Sequence, residues 1–278
     1  MKMINAILLL SLGSFLLSPS FGQEQIAYGS NNGKYISIAS TRIYYEEYGE
    51  GPVLLLLHGG LGSIHDFAMV IPELSTHFRI IAPDSPGHGR SEHADSLSYQ
   101  LMASYYSEFI DLLKLDSVYI MGYSDGGNTA LILASQRPDK VKRIVVSGAD
   151  SNTDGYKPEA LGFIEATTPQ AMEVYMPEWI TDYQNKNPQK DQWAKFINDS
   201  RKMWLKKVVI SDADMNQIES RALIVLGDQD AITLEHGIHM HRSINGSEFC
   251  VLPNTPHEVF MVRPDLINRI AIDFLIRP

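Results

Sequence analysis

The sequence predicts an α/β fold: a mostly parallel sheet with helices on both faces and one inserted helical segment. Six short apolar runs are typical of strands buried on both faces, and helix-like segments lie between them. This alternation of strand and helix predicts a parallel sheet. It stops between residues 150 and 220, where no strand pattern occurs. The 278 residues, 44% of them hydrophobic, suffice for one large domain of this kind.

Residues 1–22 are predicted to be a secretory signal. Lys2 supplies a short basic start, residues 6–17 are almost entirely apolar, and Ser20 and Gly22 form a small-x-small cleavage site. The apolar run is well below the roughly 20 residues needed to span a bilayer. We therefore expect cleavage before Gln23 and a secreted or periplasmic mature protein without membrane attachment. The alternative is a retained N-terminal anchor.

The predicted core begins with a hairpin, whose strands are residues 35–38 and 42–45. The six apolar runs follow at residues 53–57, 78–82, 118–121, 143–146, 222–226 and 248–252. Helices are predicted at residues 104–113, 129–136, 233–244 and 266–276. The core is therefore expected to comprise residues 23–149 and 221–278.

Residues 150–220 are predicted to form a helical lid. The segment is rich in methionine and aromatic residues, and an unstructured loop of this length is implausible inside a compact domain. Because it follows a strand of the sheet, it can fold over the carboxyl ends of the strands, where open α/β sheets bind ligands. Most of its aromatic side chains are expected to form the core of the lid rather than to contact substrate.

The chain is acidic, with 23 basic and 33 acidic residues and a formal net charge of −10. Removing Lys2 with the signal leaves 22 basic residues and a charge of −11. Without a basic run, the chain is not expected to bind nucleic acid or an anionic membrane. The expected partner, on the catalytic motifs described below, is a small-molecule ester or acyl substrate. Cys250 is the one cysteine, which excludes an intramolecular disulfide, and it is expected to be a small buried strand residue.

Residues 122–126, Gly-Tyr-Ser-Asp-Gly, match the pattern G-x-S-x-G between a predicted strand and a predicted helix. Gly122 and Gly126 lack a Cβ where strand and helix nearly touch, which allows Ser124 to adopt a strained backbone and present its hydroxyl. Ser124 is therefore the predicted nucleophile. The alternative is a chance match of ordinary turn residues.

A serine nucleophile needs a base, and the base needs an acid that orients it. In the setting of this motif both follow the serine in the chain, the acid first. His257 is the predicted base, because it lies in a turn-rich loop directly after the last strand-like run. His236, His239 and His241 share one predicted helix at spacings that do not converge on one face, so we expect surface residues there and predict no metal site.

Asp230 is the predicted acid. It lies in the loop after the run at residues 222–226, far enough along to reach His257. Asp228 lies at the sharp turn and is expected to be a turn-forming residue. Asp150, at the end of the strand before the lid, is a further alternative, since some arrangements of this fold supply the acid there.

Acyl transfer also requires donors for the developing oxyanion. The backbone N–H of Asp125, directly after the serine, is one predicted donor. The second is expected in the loop at residues 58–62, His-Gly-Gly-Leu-Gly, with Gly60 as the favoured donor and Leu61 as the fallback. His58 is then a structural residue, and no cofactor is predicted.

Ser124, Asp230, His257 and the His-Gly-Gly loop occur in the order found in lidded α/β-hydrolases, and the sequence resembles this superfamily over nearly the whole mature chain. Residues 84–91 likewise resemble its D-x-x-G-x-G-x-S turn. The resemblance implies a carboxylic ester hydrolase with a Ser-Asp-His triad.

The elbow, residues 122–127, resembles that of the valacyclovir hydrolase (biphenyl hydrolase-like) family of α-amino-acid ester hydrolases. This likeness implies that the carboxylate of Asp125 binds the α-ammonium of an aminoacyl substrate, in an ester hydrolase or an aminopeptidase-like enzyme. The alternative is that Asp125 only favours the dipole at the start of the helix.

Other proteins of this fold can be compared at the same positions. Haloalkane dehalogenases and epoxide hydrolases need a carboxylate nucleophile where Ser124 stands, and proline iminopeptidases carry a proline where Leu61 stands. Carbon–carbon bond hydrolases and cofactor-free perhydrolases share the triad, so the sequence leaves them open. A non-catalytic hydrolase-fold protein that binds a ligand would need neither acid nor base, so the complete set favours an enzyme.

Overall fold

The computed structural model describes residues 33–277, and the predicted signal at residues 1–22 lies outside the described residues. The strands are β1 Lys34–Ile38, β2 Thr41–Tyr48, β3 Val53–Leu57, β4 Arg79–Pro83, β5 Val118–Tyr123, β6 Val141–Ser147, β7 Arg221–Gly227 and β8 Glu248–Leu252. They form one sheet in the order β1-β2-β4-β3-β5-β6-β7-β8. The six predicted apolar runs correspond to β3 through β8, and the predicted mostly parallel α/β sheet is observed.

The sheet is parallel except where β1 and β2 join it. β2 pairs antiparallel with β1 and with β4. From β4 to β8 all neighbouring strands are parallel. The carboxyl ends of these strands therefore meet at one edge of the sheet, as expected for a ligand-binding α/β sheet.

The α-helices of the described residues cover both faces of the sheet. They are α1 Ile71–Leu74, α2 Tyr99–Leu112, α3 Asp125–Gln136, α4 Pro158–Ala166, α5 Pro169–Tyr175, α6 Pro177–Lys186, α7 Trp193–Trp204, α8 Asp212–Met215, α9 Leu234–Ser243, α10 Val259–Val262 and α11 Pro264–Ile276. Alternate residues of β3 face opposite layers: Leu55 belongs to the apolar cluster of α2 and α3, whereas Leu54 belongs to that of α11. Within residues 33–277, no helix has the length and apolar character of a membrane span.

Helices α4 to α8 occupy the segment between β6 and β7, which we call the insertion (residues 148–220). Its interior is aromatic, with Tyr183 stacked on Phe196 at a centroid distance of 5.3 Å. Asn187 attaches the insertion to the loop after β4, because its side-chain N–H donates to the carbonyl of Ser91 at 3.1 Å. The insertion therefore packs on the same end of the sheet as the loops that follow the strands.

The structure corrects three local predictions. Helix α2 begins at Tyr99 rather than at residue 104, because the hydroxyl of Ser98 accepts the N–H of Leu101 and caps the first turn. Helix α3 begins at Asp125 rather than at residue 129, so it starts directly after Ser124. Cys250 is partly exposed rather than buried, because β8 is an edge strand of the sheet.

Candidate active site

Ser124 lies on the turn between β5 and α3. Its φ of 52° and ψ of −115° are strained for a residue that carries a side chain. A Cβ added at Gly122 would lie 2.4 Å from the carbonyl oxygen of Gly126, and one added at Gly126 would lie 1.9 Å from that of Leu57. These glycines therefore allow β5, α3 and β3 to approach closely enough to hold the strained turn.

His257 connects Ser124 to Asp230. With the ring proton on Nδ1, its Nε2 accepts the hydroxyl of Ser124 at 3.1 Å and its Nδ1 donates to Oδ1 of Asp230 at 2.7 Å. The carboxylate of Asp230 is fully buried and also accepts the N–H groups of Ile232 at 3.0 Å and Gly227 at 3.3 Å. The structure thus brings together all three residues that the sequence singled out, in an arrangement that can take a proton from the serine.

The electrostatic surroundings favour a protonated His257. Burial lowers its pKa, but the charge of Asp230 and the hydrogen bond to it outweigh burial and raise the pKa from 6.5 to about 9. Burial also opposes the ionisation of Asp230, and His257 with the backbone donors overcomes this and lowers the pKa of the carboxyl. Asp230 is therefore ionised beside the ring of His257.

Asp228 has a different environment. Its exposed carboxylate accepts the backbone N–H groups of Asn254 and Thr255, both at 2.9 Å. These hydrogen bonds lower its pKa and join the loop after β7 to the loop after β8. Asp228 is thus part of a turn network, and it makes no hydrogen bond to His257 among the contacts of the described residues.

Asp150 is buried near the site but has other partners than His257. Its Oδ1 accepts the side-chain N–H of Asn128 at 2.9 Å and the hydroxyl of Tyr156 at 3.1 Å. Its Oδ2 has no hydrogen-bond partner within residues 33–277. Burial raises the pKa of this carboxyl from 3.8 to about 7, so Asp150 is poorly suited to act as the ionised acid.

The loop at residues 58–62 lies against the elbow. A Cβ added at Gly59 would lie 3.3 Å from Cβ of Ser124, and one added at Gly60 would lie 2.6 Å from Oδ2 of Asp125. Leu61 has a φ of 56°, a left-handed conformation that turns the loop tightly. Gly59 therefore packs against Ser124, and Gly60 packs against the side chain of Asp125.

The remaining histidines that sequence analysis considered have structural partners. His58 donates from Nδ1 to the carbonyl of Gly59 at 2.8 Å and accepts the N–H of Ser85 at 2.9 Å. His236 is buried and accepts the N–H of Ser151 at 3.0 Å, so the expectation of a surface residue was wrong. Helix α9 packs this side chain against the insertion. Within the described part of the chain, no group of His, Cys, Asp and Glu is placed to hold a metal.

The carboxylate of Asp125 is buried, and its side-chain partners come from α2 and from the insertion. Its Oδ1 accepts the hydroxyl of Tyr99 at 2.8 Å, and the indole N–H of Trp204 lies 3.0 Å from Oδ1 and 2.9 Å from Oδ2. Burial raises the pKa of Asp125, while the two hydrogen bonds counteract the rise. Trp204 is the last residue of α7, so this contact joins the insertion to the elbow.

Sequence reasoning did not identify three residues of this site. Tyr99 and Trp204 contact Asp125 from 26 and 79 positions away in the chain, and no local pattern indicates such contacts. Gly148 follows β6 with a φ of 63°, and a Cβ there would lie 2.6 Å from Cε1 of His257. The glycine at the end of a strand was the one available signal.

Comparison with known proteins shows the same architecture. The model of the α/β hydrolase fold family matches residues 52–178. The 2-hydroxy-6-oxo-2,4-heptadienoate hydrolase of Pseudomonas putida is 27% identical over 266 residues, which cover 87% of this chain and 96% of that protein. Serine hydrolase BPHL of Homo sapiens is 26% identical over 251 residues, covering 86% of this chain and 85% of that protein.

Among solved structures, a meta-cleavage product hydrolase from Pseudomonas fluorescens IP01 superposes with a TM-score of 0.71 at 23% identity, covering 87% of this chain and 97% of that one. The likeness to solved structures concerns the fold. Together with the family match and the curated relatives, it confirms the resemblance inferred from the motifs.

Proposed function

We propose that this chain, whose fold and relatives are those of the α/β-hydrolase superfamily, is a serine hydrolase that cleaves a carboxylic ester or related acyl bond. The observation that carries the proposal is the continuous chain of hydrogen bonds from Ser124 through His257 to Asp230. A strained serine with a base at 3.1 Å is needed for nucleophilic attack and has no role in a protein that only binds a ligand.

In the proposed reaction, His257 accepts the hydroxyl proton as Ser124 attacks the carbonyl carbon. The negative oxygen is stabilised by the backbone N–H groups of Gly60 and Asp125. His257 then gives the proton to the leaving group, which departs and leaves an acyl-enzyme. A water molecule then attacks the acyl carbon while His257 takes one of its protons. His257 returns this proton to the oxygen of Ser124 as the acid departs, and Asp230 keeps the ring oriented throughout.

The described residues supply all that hydrolysis of an ester requires, although carbon–carbon bond hydrolases share the same triad. Relatives of this chain include a hydrolase of 2-hydroxy-6-oxo-2,4-heptadienoate and a protein named serine hydrolase. An ester needs the triad and the oxyanion donors, and its alcohol departs with the proton that His257 carries. We therefore propose ester cleavage as the main activity, with cleavage of a carbon–carbon bond as the alternative.

The proposal is tested by hydrolysis of 4-nitrophenyl esters by pure protein and by its Ser124→Ala variant. Loss of the nucleophile should lower kcat by on the order of 10⁶, the scale seen when a triad acts as a unit. A burst of 4-nitrophenol equal to the enzyme concentration would reveal the acyl-enzyme. Substantial esterase activity in Ser124→Ala would exclude this mechanism, and an inactive wild type would favour the non-catalytic, ligand-binding alternative.

A second candidate is hydrolysis of α-amino-acid esters, in which Asp125 binds the substrate ammonium. The observation that favours it is a buried carboxylate whose hydrogen-bond donors, Tyr99 and Trp204, are both neutral. A carboxylate offers about four acceptor positions, so it retains capacity for a cation. Matched aminoacyl esters with free and N-acetylated amino groups would distinguish this activity from general ester hydrolysis.

We also propose that the protein is exported, through a signal at residues 1–22 that is removed before Gln23. The compartment would be the periplasm in a Gram-negative source and the exterior otherwise. Mass spectrometry of native protein should find an N-terminus at or near Gln23. Recovery of membrane-bound protein that begins at Met1 would instead indicate a retained anchor.

A further inference from the structure

We propose that Trp204 is a specificity-determining residue, whose indole limits the space available to the acyl group of the substrate. The inference deepens the proposed serine hydrolase function and rests on it. It concerns a side chain from the insertion that lies next to the reacting groups without being needed for the proton transfers.

Trp204 contacts both residues that carry the candidate oxyanion donors. Its indole N–H is within hydrogen-bond distance of both carboxylate oxygens of Asp125, at 3.0 and 2.9 Å. A Cβ added at Gly60 would lie 2.6 Å from its Cζ2 and 3.0 Å from its Cε2. The ring therefore lies directly against Gly60, beside the place where the carbonyl oxygen of the substrate must bind.

Trp204 and His257 lie on opposite sides of Ser124. The serine follows β5, whose neighbours in the sheet are β3 on one side and β6 on the other. Gly60, against which Trp204 packs, follows β3. The ring of His257 lies on the other side, because a Cβ added at Gly148, after β6, would lie 2.6 Å from it.

This placement separates the two halves of an ester. The leaving group must lie near His257, since His257 donates the proton that it departs with. The carbonyl oxygen lies between the amides of Gly60 and Asp125. The remaining substituent of the carbonyl carbon is the acyl chain, which must then extend towards the β3 side, where it meets Trp204.

The indole is also held in place. It is half-buried, and it donates to a carboxylate that is itself 3% exposed. A ring that moved aside would leave this buried carboxylate without one of its two side-chain donors, which is costly for a charged group. A wide, tethered ring at this position admits short acyl groups and excludes long ones.

The test uses 4-nitrophenyl acetate, butyrate and hexanoate, which share a leaving group and differ only in the acyl chain. In Trp204→Ala, the ratio of kcat/KM for hexanoate to that for acetate should rise at least about tenfold, since each newly buried methylene contributes about fourfold. Trp204→Phe, which keeps most of the bulk, should change the ratio less. Trp179→Ala is the matched control, because Trp179 lies on α6 of the same insertion and is 37% exposed.

A second series, the acetates of 4-nitrophenol and 1-naphthol, varies only the leaving group, and Trp204→Ala should leave that ratio unchanged. Two results would overturn the assignment of Trp204 and leave the proposed function intact. One is an active Trp204→Ala variant whose hexanoate-to-acetate ratio of kcat/KM is unchanged. The other is a variant in which the leaving-group ratio changes instead. If Trp204→Ala does not fold, Trp204→Leu takes its place in both series. If the wild type hydrolysed none of these esters, the proposed function would fail, and this inference with it.

Discussion

Replacing Asp230 with asparagine should reduce ester hydrolysis by several hundredfold or more without disturbing the fold. Asparagine has the same shape but no charge, and the charge of Asp230 is the main influence that raises the pKa of His257 from 6.5 to about 9. At about 1.4 kcal/mol per pH unit, this stabilises the protonated ring by on the order of 3 kcal/mol, or about 300-fold in rate. The amide can also favour the wrong ring tautomer, which in a triad of this kind costs about 10⁴ in kcat. We expect a loss between about 300-fold and about 10⁴-fold.

The assay is the pH dependence of kcat/KM for 4-nitrophenyl butyrate. Because the base must be neutral, kcat/KM should rise with pH through the pKa of His257. In the wild type the midpoint of this rise should lie well above pH 6.5. Loss of the anionic partner lowers that pKa, so the limb should move to lower pH in Asp230→Asn. Asp228→Asn is the matched control, since its partners are backbone N–H groups and not His257.

The result that would refute this reasoning is an Asp230→Asn enzyme that retains more than about a tenth of wild-type activity at its own pH optimum. If the rise of kcat/KM with pH had the same midpoint in Asp230→Asn as in the wild type, the charge of Asp230 could not be the cause of the raised pKa of His257. If Asp228→Asn caused the larger loss, the acid would have to be reassigned to Asp228.

Three further perturbations test other parts of the site. Gly60→Ala should lower kcat by about 10²- to 10³-fold with little change in KM. The added Cβ would lie 2.6 Å from both Asp125 and Trp204, so the loop must shift and displace an oxyanion donor. A loss in kcat of less than about tenfold would mean that the donor lies elsewhere. If Asp125 binds the substrate ammonium, the wild type should prefer a free α-amino ester over its N-acetylated form by roughly 10- to 150-fold in kcat/KM. Asp125→Asn should abolish this preference. Equal turnover of both esters by the wild type would instead indicate a general carboxylesterase. Asp150 has a folded-state pKa of about 7, raised by burial above the ordinary 3.8, so the stability from its neutral form is full below about 3.8 and is lost as pH rises to about 7. Asp150→Asn should therefore flatten the fall of Tm between about pH 4 and 7 measured by calorimetry, and an unchanged slope would contradict the buried titration.

The parts of the site that could be predicted are those encoded by short stretches of sequence. The elbow at Ser124 is visible because two glycines flank a serine between an apolar run and a helical segment, and β5 and α3 form there. The positions of Asp230 and His257 followed from a general rule, since both come directly after parallel strands whose carboxyl ends meet at one edge. The boundary of α3 was misplaced because glycine and asparagine in its first turn weaken the helical pattern, while close packing on β3 stabilises the turn.

The sequence by itself indicated the order of strands and helices, the strained serine and the favoured base and acid, because periodicity, glycine positions and strand ends are local properties of the chain. Only the tertiary structure decided which side chains surround these groups. Tyr99 and Trp204 reach Asp125 from α2 and from the insertion, and Asp150 is buried against Asn128 and Tyr156, through contacts that depend on how separate elements pack. Such contacts leave no periodic trace, because a single tryptophan at the end of a helix has the same local pattern whether it faces solvent or a buried carboxylate.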